Sequence, residues 1–393
     1  MRFRHPDGST VHLAYCTNVH PAETLDGVLA QLRDHCEPVR LRLGRERLGI
    51  GLWLARDAAR VLVADAAARR ALRAALSRHG LDVVTLNGFP YRGFGGERVK
   101  YAVYSPDWTS RDRLDHTADL AAILAGLLPD DEREGTISTL PLAWRTPFTP
   151  EDGRRALAHL TELSERLDDL AARTGRSIRV ALEPEPGCAV ETTTQAADAL
   201  TGPGAPPAHR VGVCLDTCHL ATAFEDPESA VDGLVARGVP VVKAQLSAAL
   251  HAEHPDRPEV RAALAEFDEP RFLHQTRERA PGGVVGRDDL DAALSGPDPL
   301  PGRDPWRVHL HVPLHATPDP PLASTLPHLT RALTRLVGGD RALTRHLEVE
   351  TYTWQVLPHA LRPRTPGQLA DGIAAELSLA RDLLTGLGLK ELT

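Results

Sequence analysis

The segment RVGVCLDTCHLATAFED, residues 210–226, runs an apolar stretch into a carboxylate, Asp216, and places an imidazole, His219, three residues on. Related arrangements recur along the chain. Glu183 closes VALE and Glu185 follows it, while Gln245 ends VVKAQ. Glu348 and Glu350 lie two apart in HLEVET and so share one face of an extended segment, as His309 and His311 do in VHLHV. Acids that converged from several strand ends would raise one another's pKa values by whole units. A divalent cation removes that repulsion. An open site of oxygen and imidazole donors suits manganese, magnesium, cobalt or ferrous iron. Zinc is less expected, and the absence of a paired Cys-x-x-Cys motif argues against a structural zinc site.

Each of these residues also has a plainer reading. A lone strand-end acid is usually a loop cap or a salt-bridge partner, so the ordered set carries the argument and no single member does. His12 and His346, at strand starts, read as polar structural residues, and Cys214 and Cys218 as small buried hydrophobes. Trp53, Trp108, Trp306 and Trp354 are large enough to wall a pocket, although packing explains any one of them.

Strand-like runs at 11–18, 48–55, 81–90, 135–143, 177–187, 210–219 and 239–247 alternate with helical patterns. A long Ala/Leu/Arg helix over 57–78 stops at His79-Gly80, and another opens at Thr149-Pro150-Glu151 with a capping hydroxyl, a first-turn proline and an acid. Repeated strand–helix units imply parallel strands with right-handed crossovers, and eight of them close a (β/α)8 TIM barrel with its active site at the C-terminal strand ends. Two further runs, 306–314 and 346–354, make nine candidates. The second is taken as the eighth barrel strand because an amphipathic helix, 366–387, follows it; the first is then an accessory. Residues 250–305 are rich in turn formers and read as an inserted excursion with short helices at the catalytic face of one barrel domain spanning 1–393. An open doubly wound sheet would need a glycine-rich loop after the first strand, and AYCTNVHPAET (14–24) contains none.

The 393 residues are 42% hydrophobic and 25% charged, ample for a packed core, with a net charge of −8. No long basic run is present, so nucleic acid is not an expected partner. No window approaches 18 apolar residues, so membrane insertion is not expected. The opening MRFRHPDGSTVHL lacks the apolar core of a secretory signal, and five cysteines, an odd number in a large chain, fit a reducing cytoplasm. Alanine-rich helices around a barrel leave a homodimer open.

CLDTCH is similar to the strand-end Asp-x-x-His of the xylose isomerase-like TIM-barrel superfamily, which holds sugar isomerases, ketose 3-epimerases and the endonuclease IV group. ALEPEPG is similar to its metal-binding strand-end Glu-Pro. Further blocks (YCTNVHPAE, TLNGFPY, VKYAVYSPDW, GTISTLPLAW, VKAQLSAAL, FLHQ, HLHVPL and HLEVETYTWQVLP) more closely resemble the EboE-type "metabolite traffic protein" family, named for a gene cluster of specialised metabolism. The superfamily resemblance implies Glu183, Asp216 and Glu350 as ligands of one divalent cation. Where related epimerases place a histidine on the seventh strand this chain has Gln245, and His311 is the other source for that position. His219 matches a substrate-contacting histidine.

The expected reaction is metal-dependent isomerisation or epimerisation of a small polar metabolite, a sugar or cyclitol-like polyol, through an enediolate. Glu183 and Glu350 would remove and return the proton, with His219 and Lys243 holding oxygens and offsetting charge. Glu185, His274 (on a lid), His309 and Trp354 are expected to contact the substrate. The alternatives are a non-haem iron oxygenase or other redox enzyme on the same barrel, and a non-catalytic metabolite carrier.

Overall fold

The computed structural model describes residues 1–392. Eight parallel strands form its centre: β1 (Thr10–Cys16), β2 (Leu48–Trp53), β3 (Leu81–Asn87), β4 (Glu134–Thr139), β5 (Ser177–Leu182), β6 (Val211–Asp216), β7 (Val241–Leu246) and β8 (His346–Val349). Each pairs with the next, and β8 pairs with both β7 and β1, which closes the barrel. The eighth strand is therefore the one expected from 346–354. Every residue of β3, β6, β7 and β8 is buried, as in sheets covered on both faces. Arg2–Arg4 adds antiparallel to β1, and Lys390–Leu392 pairs with Arg2–Arg4 in turn.

Local sequence sets the connecting helices. Thr149 and Asp152 form a reciprocal capping box at the start of helix Pro150–Thr174, and Gly175 ends it with φ 67°. The helix expected over 57–78 is two helices, Arg56–Ala64 and Ala66–Arg78. Asp65 leaves the helical conformation between them, and its carboxylate accepts from the Ala67 N–H at 2.7 Å, a cap that the alanine-rich pattern concealed.

The excursion corrects two expectations. It contains the short helices Pro258–Ala265 and Leu290–Ser295, but it is built on a five-stranded antiparallel sheet. In spatial order the strands are Gly283–Arg287, Thr276–Ala280, Trp306–Val308, Leu250–Ala252 and Leu322–Ser324. The sheet thus reaches past residue 305, to Ser324. Pro281 and Gly282, read from sequence as breakers, form the two-residue turn of a hairpin that pairs Ala280 with Gly283. Of the run 306–314, only Trp306–Val308 is strand. Its continuation is tied to the rest of the chain by His309 N–H to Gln275 O (2.9 Å) and Val312 N–H to Ala248 O (2.8 Å). Those bonds bring His309 and His311 to the mouth of the barrel. No helix among the described residues is long and apolar enough to cross a membrane.

Candidate functional site

Asp216 is the last residue of β6, Glu183 directly follows β5, and Glu350 directly follows β8. All three are buried, and one carboxylate oxygen from each lies within 4.8 Å of the other two. The conformation of Asp216 comes from its own motif. The carboxylate caps the helix Thr217–Thr222: Oδ1 accepts from the N–H groups of Cys218 (2.7 Å) and His219 (3.0 Å) and from the Ser247 hydroxyl (2.7 Å). Oδ2 is left buried without a partner, as is Glu183 Oε2. Glu350 Oε1 accepts from the side-chain amides of Asn18 and Asn87, each at 2.7 Å.

His311 joins this cluster from the excursion. Its Nδ1 donates to the Glu350 carbonyl at 2.5 Å, which leaves the lone pair on Nε2. That nitrogen is buried without a partner, 3.9 Å from Asp216 Oδ2. Gln245 pairs in register with Asp216 and Glu348, and both atoms of its buried amide also lack partners. Buried polar atoms that converge unpaired are what an ion completes, because buried charges are otherwise paired or neutralised. The donor set, three carboxylates with an imidazole nearby, fits a hard or borderline divalent cation.

The electrostatics agree with this reading. Burial, then repulsion by Glu350 and Asp216, pushes the Glu183 carboxyl well above the carboxylate range. Burial, then Asp216 and Glu348, pushes Glu350 up to about 8. Burial works against an ionised Asp216, but His219, His311 and the Ser247 bond outweigh it and hold its pKa below the usual value. Burial, only partly opposed by Asp216, lowers His311 to about 4, so its imidazole is neutral and free to ligate.

Three expected site residues fall elsewhere. Lys243 lies one inward-facing position deeper than Gln245, fully buried, with Nζ 3.1 Å from the equally buried Glu348. It does not line the cavity. Gly51 makes room for that pair, since a Cβ there would overlap the Glu348 carboxylate. His274 is no substrate contact: Nδ1 bonds the His309 carbonyl and Nε2 bonds Glu269, both at 2.9 Å, so the ring is spent fastening the excursion. Trp354 packs inward against Gly372 of helix Pro366–Gly386, where a Cβ would meet its ring at 2.5 Å.

Glu185, His219 and His309 do line the cavity, with Glu183, His311, Glu350, Asn18 and Asn87. Above this polar floor stand Phe89, Pro90, Val99, Val103 and Tyr104, roofed by Phe94, Phe272 and Tyr352, whose ring centroids lie 5.0–5.5 Å apart. The one basic side chain in the lining besides the histidines, Lys100, is ion-paired with Asp289. Sequence reasoning passed over Asn18, Asn87 and Ser247. Each stands at or within two residues of the end of a barrel strand, so the criterion that selected the acids selects these amides and this hydroxyl once it is extended to neutral residues.

A closed parallel eightfold barrel whose mouth gathers carboxylates and imidazoles defines a TIM-barrel protein with a metal-compatible centre. Residues 49–252 match the family model described as "Xylose isomerase-like TIM barrel", and the chain belongs to that family. No curated protein matches the chain. Among solved structures it is similar to a D-tagatose 3-epimerase-like protein, at 11% identity over 96% of this chain and 98% of that one, with a TM-score of 0.51. It is also similar to D-allulose 3-epimerase from Methylomonas sp. in complex with D-allulose, at 12% identity over 95% and 96% of the two chains, TM-score 0.49. At 11% identity what the chain shares with the D-tagatose 3-epimerase-like protein is the fold.

Proposed function

We propose that the protein is a divalent-metal-dependent isomerase or epimerase of an unphosphorylated sugar or cyclitol-like polyol. The observation that carries this reading is the meeting of Glu183, Asp216 and Glu350 within 4.8 Å at the strand ends, with unpartnered oxygens on Glu183 and Asp216. Manganese, magnesium, cobalt or ferrous iron held there would supply Lewis-acid polarisation of a carbonyl and its neighbouring hydroxyl. Asp216 is the fixed anchor, since three donors immobilise its other oxygen. Glu183 and Glu350 carry the proton: one removes it from the carbon beside the carbonyl and the other returns it. Asn18 and Asn87 pin one Glu350 oxygen and so orient the other. The aromatic roof excludes water from the exchangeable proton and receives the C–H faces of the polyol. No arginine lines the cavity and Lys100 is neutralised by Asp289, which favours a substrate without phosphate. The sequence blocks quoted above support the finer placement in the EboE-type group and a role in specialised metabolism.

The test is solvent exchange. Metal-loaded protein incubated with a panel of ketoses and keto-cyclitols in D2O incorporates deuterium beside the carbonyl, and Glu183→Gln lowers that rate at least 100-fold. Full exchange in Glu183→Gln would refute the role given to that residue. A second reading rests on Asp216, His219 and His311, whose ligand atoms also lie within 4.8 Å of one another: two imidazoles and one carboxylate are the set used by non-haem iron oxygenases. Oxygen uptake by the ferrous protein, with no deuterium exchange, would decide for it.

A further inference from the structure

Beside the carboxylate cluster, two imidazoles meet lone pair to lone pair. His219 Nδ1 lies 2.9 Å from the Pro184 carbonyl, which can only accept, so Nδ1 carries the hydrogen. His309 Nδ1 lies 2.7 Å from Gln275 Oε1. The amide orientation of Gln275 follows from its nitrogen donating to the Pro186 carbonyl at 3.0 Å, so His309 Nδ1 is also the donor. In the neutral rings both Nε2 atoms are therefore bare. They stand 3.1 Å apart, on rings inclined at 81°, and the Tyr352 hydroxyl is the next polar group, 3.4 Å from His309 Nε2. Two unprotonated nitrogens at that distance repel unless an electrophile lies between them. Nitrogens bound at ~2.1 Å in neighbouring positions on one metal ion sit roughly 3.0 Å apart. Glu185 supplies a third donor: one of its carboxylate oxygens and one nitrogen of each ring lie within 4.8 Å of one another. Tyr104 at 2.6 Å and Gln275 at 3.3 Å, both donating to Oε1, hold that carboxylate in place.

We propose that Glu185, His219 and His309 hold a second divalent cation, next to the one assigned to Glu183, Asp216 and Glu350, so that the barrel mouth carries a two-metal centre. Two imidazoles and one carboxylate select zinc, cobalt or iron over magnesium. Glu185 and His219 lie within residues 49–252 that match the family model, while His309 comes from the excursion beyond them, so the barrel and the excursion both supply the site. The inference does not depend on the isomerase reading, since it concerns the number of ions bound and where they bind.

The test is a cobalt(II) titration of metal-free protein under anaerobic conditions, followed by calorimetry and by visible absorption. Wild type binds two ions per chain. His309→Ala and, separately, Glu185→Gln bind one and lose the absorption band of the nitrogen-rich ion, while Glu183→Gln retains that band. Circular dichroism establishes that each variant is folded, and using two variants guards against the misfolding of either. One ion in wild type that persists in His309→Ala overturns the proposal and leaves a proton shared between the imidazoles. Two ions in all three proteins places the second elsewhere, and loss of both ions from His309→Ala and Glu185→Gln means a single common site; either overturns it. No binding in wild type overturns it together with the metal dependence proposed above, whereas two ions without deuterium exchange leaves it standing and removes the isomerase.

Discussion

Two inward-facing layers of the same barrel bury charge in opposite ways. In the deeper layer Lys243 and Glu348, from β7 and β8, face each other at 3.1 Å with no exposure, and Gly51 opens the space they occupy. The charges cancel within the chain. One position closer to the C-terminal ends, Glu183, Asp216 and Glu350 crowd together without a cation of their own, and a neutral imidazole stands beside them with its free nitrogen unpartnered. The chain balances the first layer and leaves the second unbalanced. Both layers are buried, so exposure does not distinguish them; the difference lies in whether the partner is built in, and of these five residues only Glu183 and Glu350 line the cavity.

The sharpest way to break this contrast is to unbalance the deeper layer. Lys243→Met strands the Glu348 charge and is expected to cost about 3–5 kcal/mol in urea unfolding. Adding Glu348→Met restores most of it, and the folded double variant binds metal within about threefold of wild type. A double variant that has lost metal affinity by 100-fold would merge the layers into one site. A change of pH probes the upper layer next. Carboxyls whose folded pKa values are raised stabilise the fold below their unfolded value of 4.5 and lose that contribution as pH rises through the folded value, about 8 for Glu350. The melting temperature of metal-free protein is therefore expected to fall by several degrees from pH 5 to pH 8, and saturating divalent cation is expected to abolish the fall. Parallel curves with and without metal would show that the mouth is not unbalanced. The smallest effect sharpens the picture: Ser247→Ala removes one of three donors to Asp216 Oδ1 and weakens metal binding roughly tenfold in a calorimetric titration, without changing the number of ions.

What could be read from sequence follows the same division. Strand ends are visible in a chain of this class, so the barrel order, the eighth strand and a meeting of strand-end acids follow from apolar runs that stop at acids, whereas the set Glu183, Asp216 and Glu350 is what the superfamily resemblance implies. Depth along a strand is less visible. Lys243 and Gln245 share a face, and nothing in residue type shows that one is spent on Glu348 while the other keeps its amide unpaired. The places of His274 and Trp354 are hidden for a related reason: an imidazole with two acceptors and an indole against a glycine become structural only when the partners, Glu269 and Gly372, are brought near by the fold. The side sheet was hidden because its strands are three to five residues long and antiparallel, and its hairpin turn is made of residues that sequence reading treats as breakers.

The excursion over 250–324 supplies His309 and His311 to a floor otherwise built by barrel strands. An ion gripped from both sides would act as a clasp. The side sheet could not swing away from the barrel without letting the ion go, and the ion could not depart without loosening the sheet. Metal dissociation and the slow opening of backbone amides in that sheet would then keep the same clock, and chelation would turn a firmly docked segment into the first part of the molecule that a protease cuts.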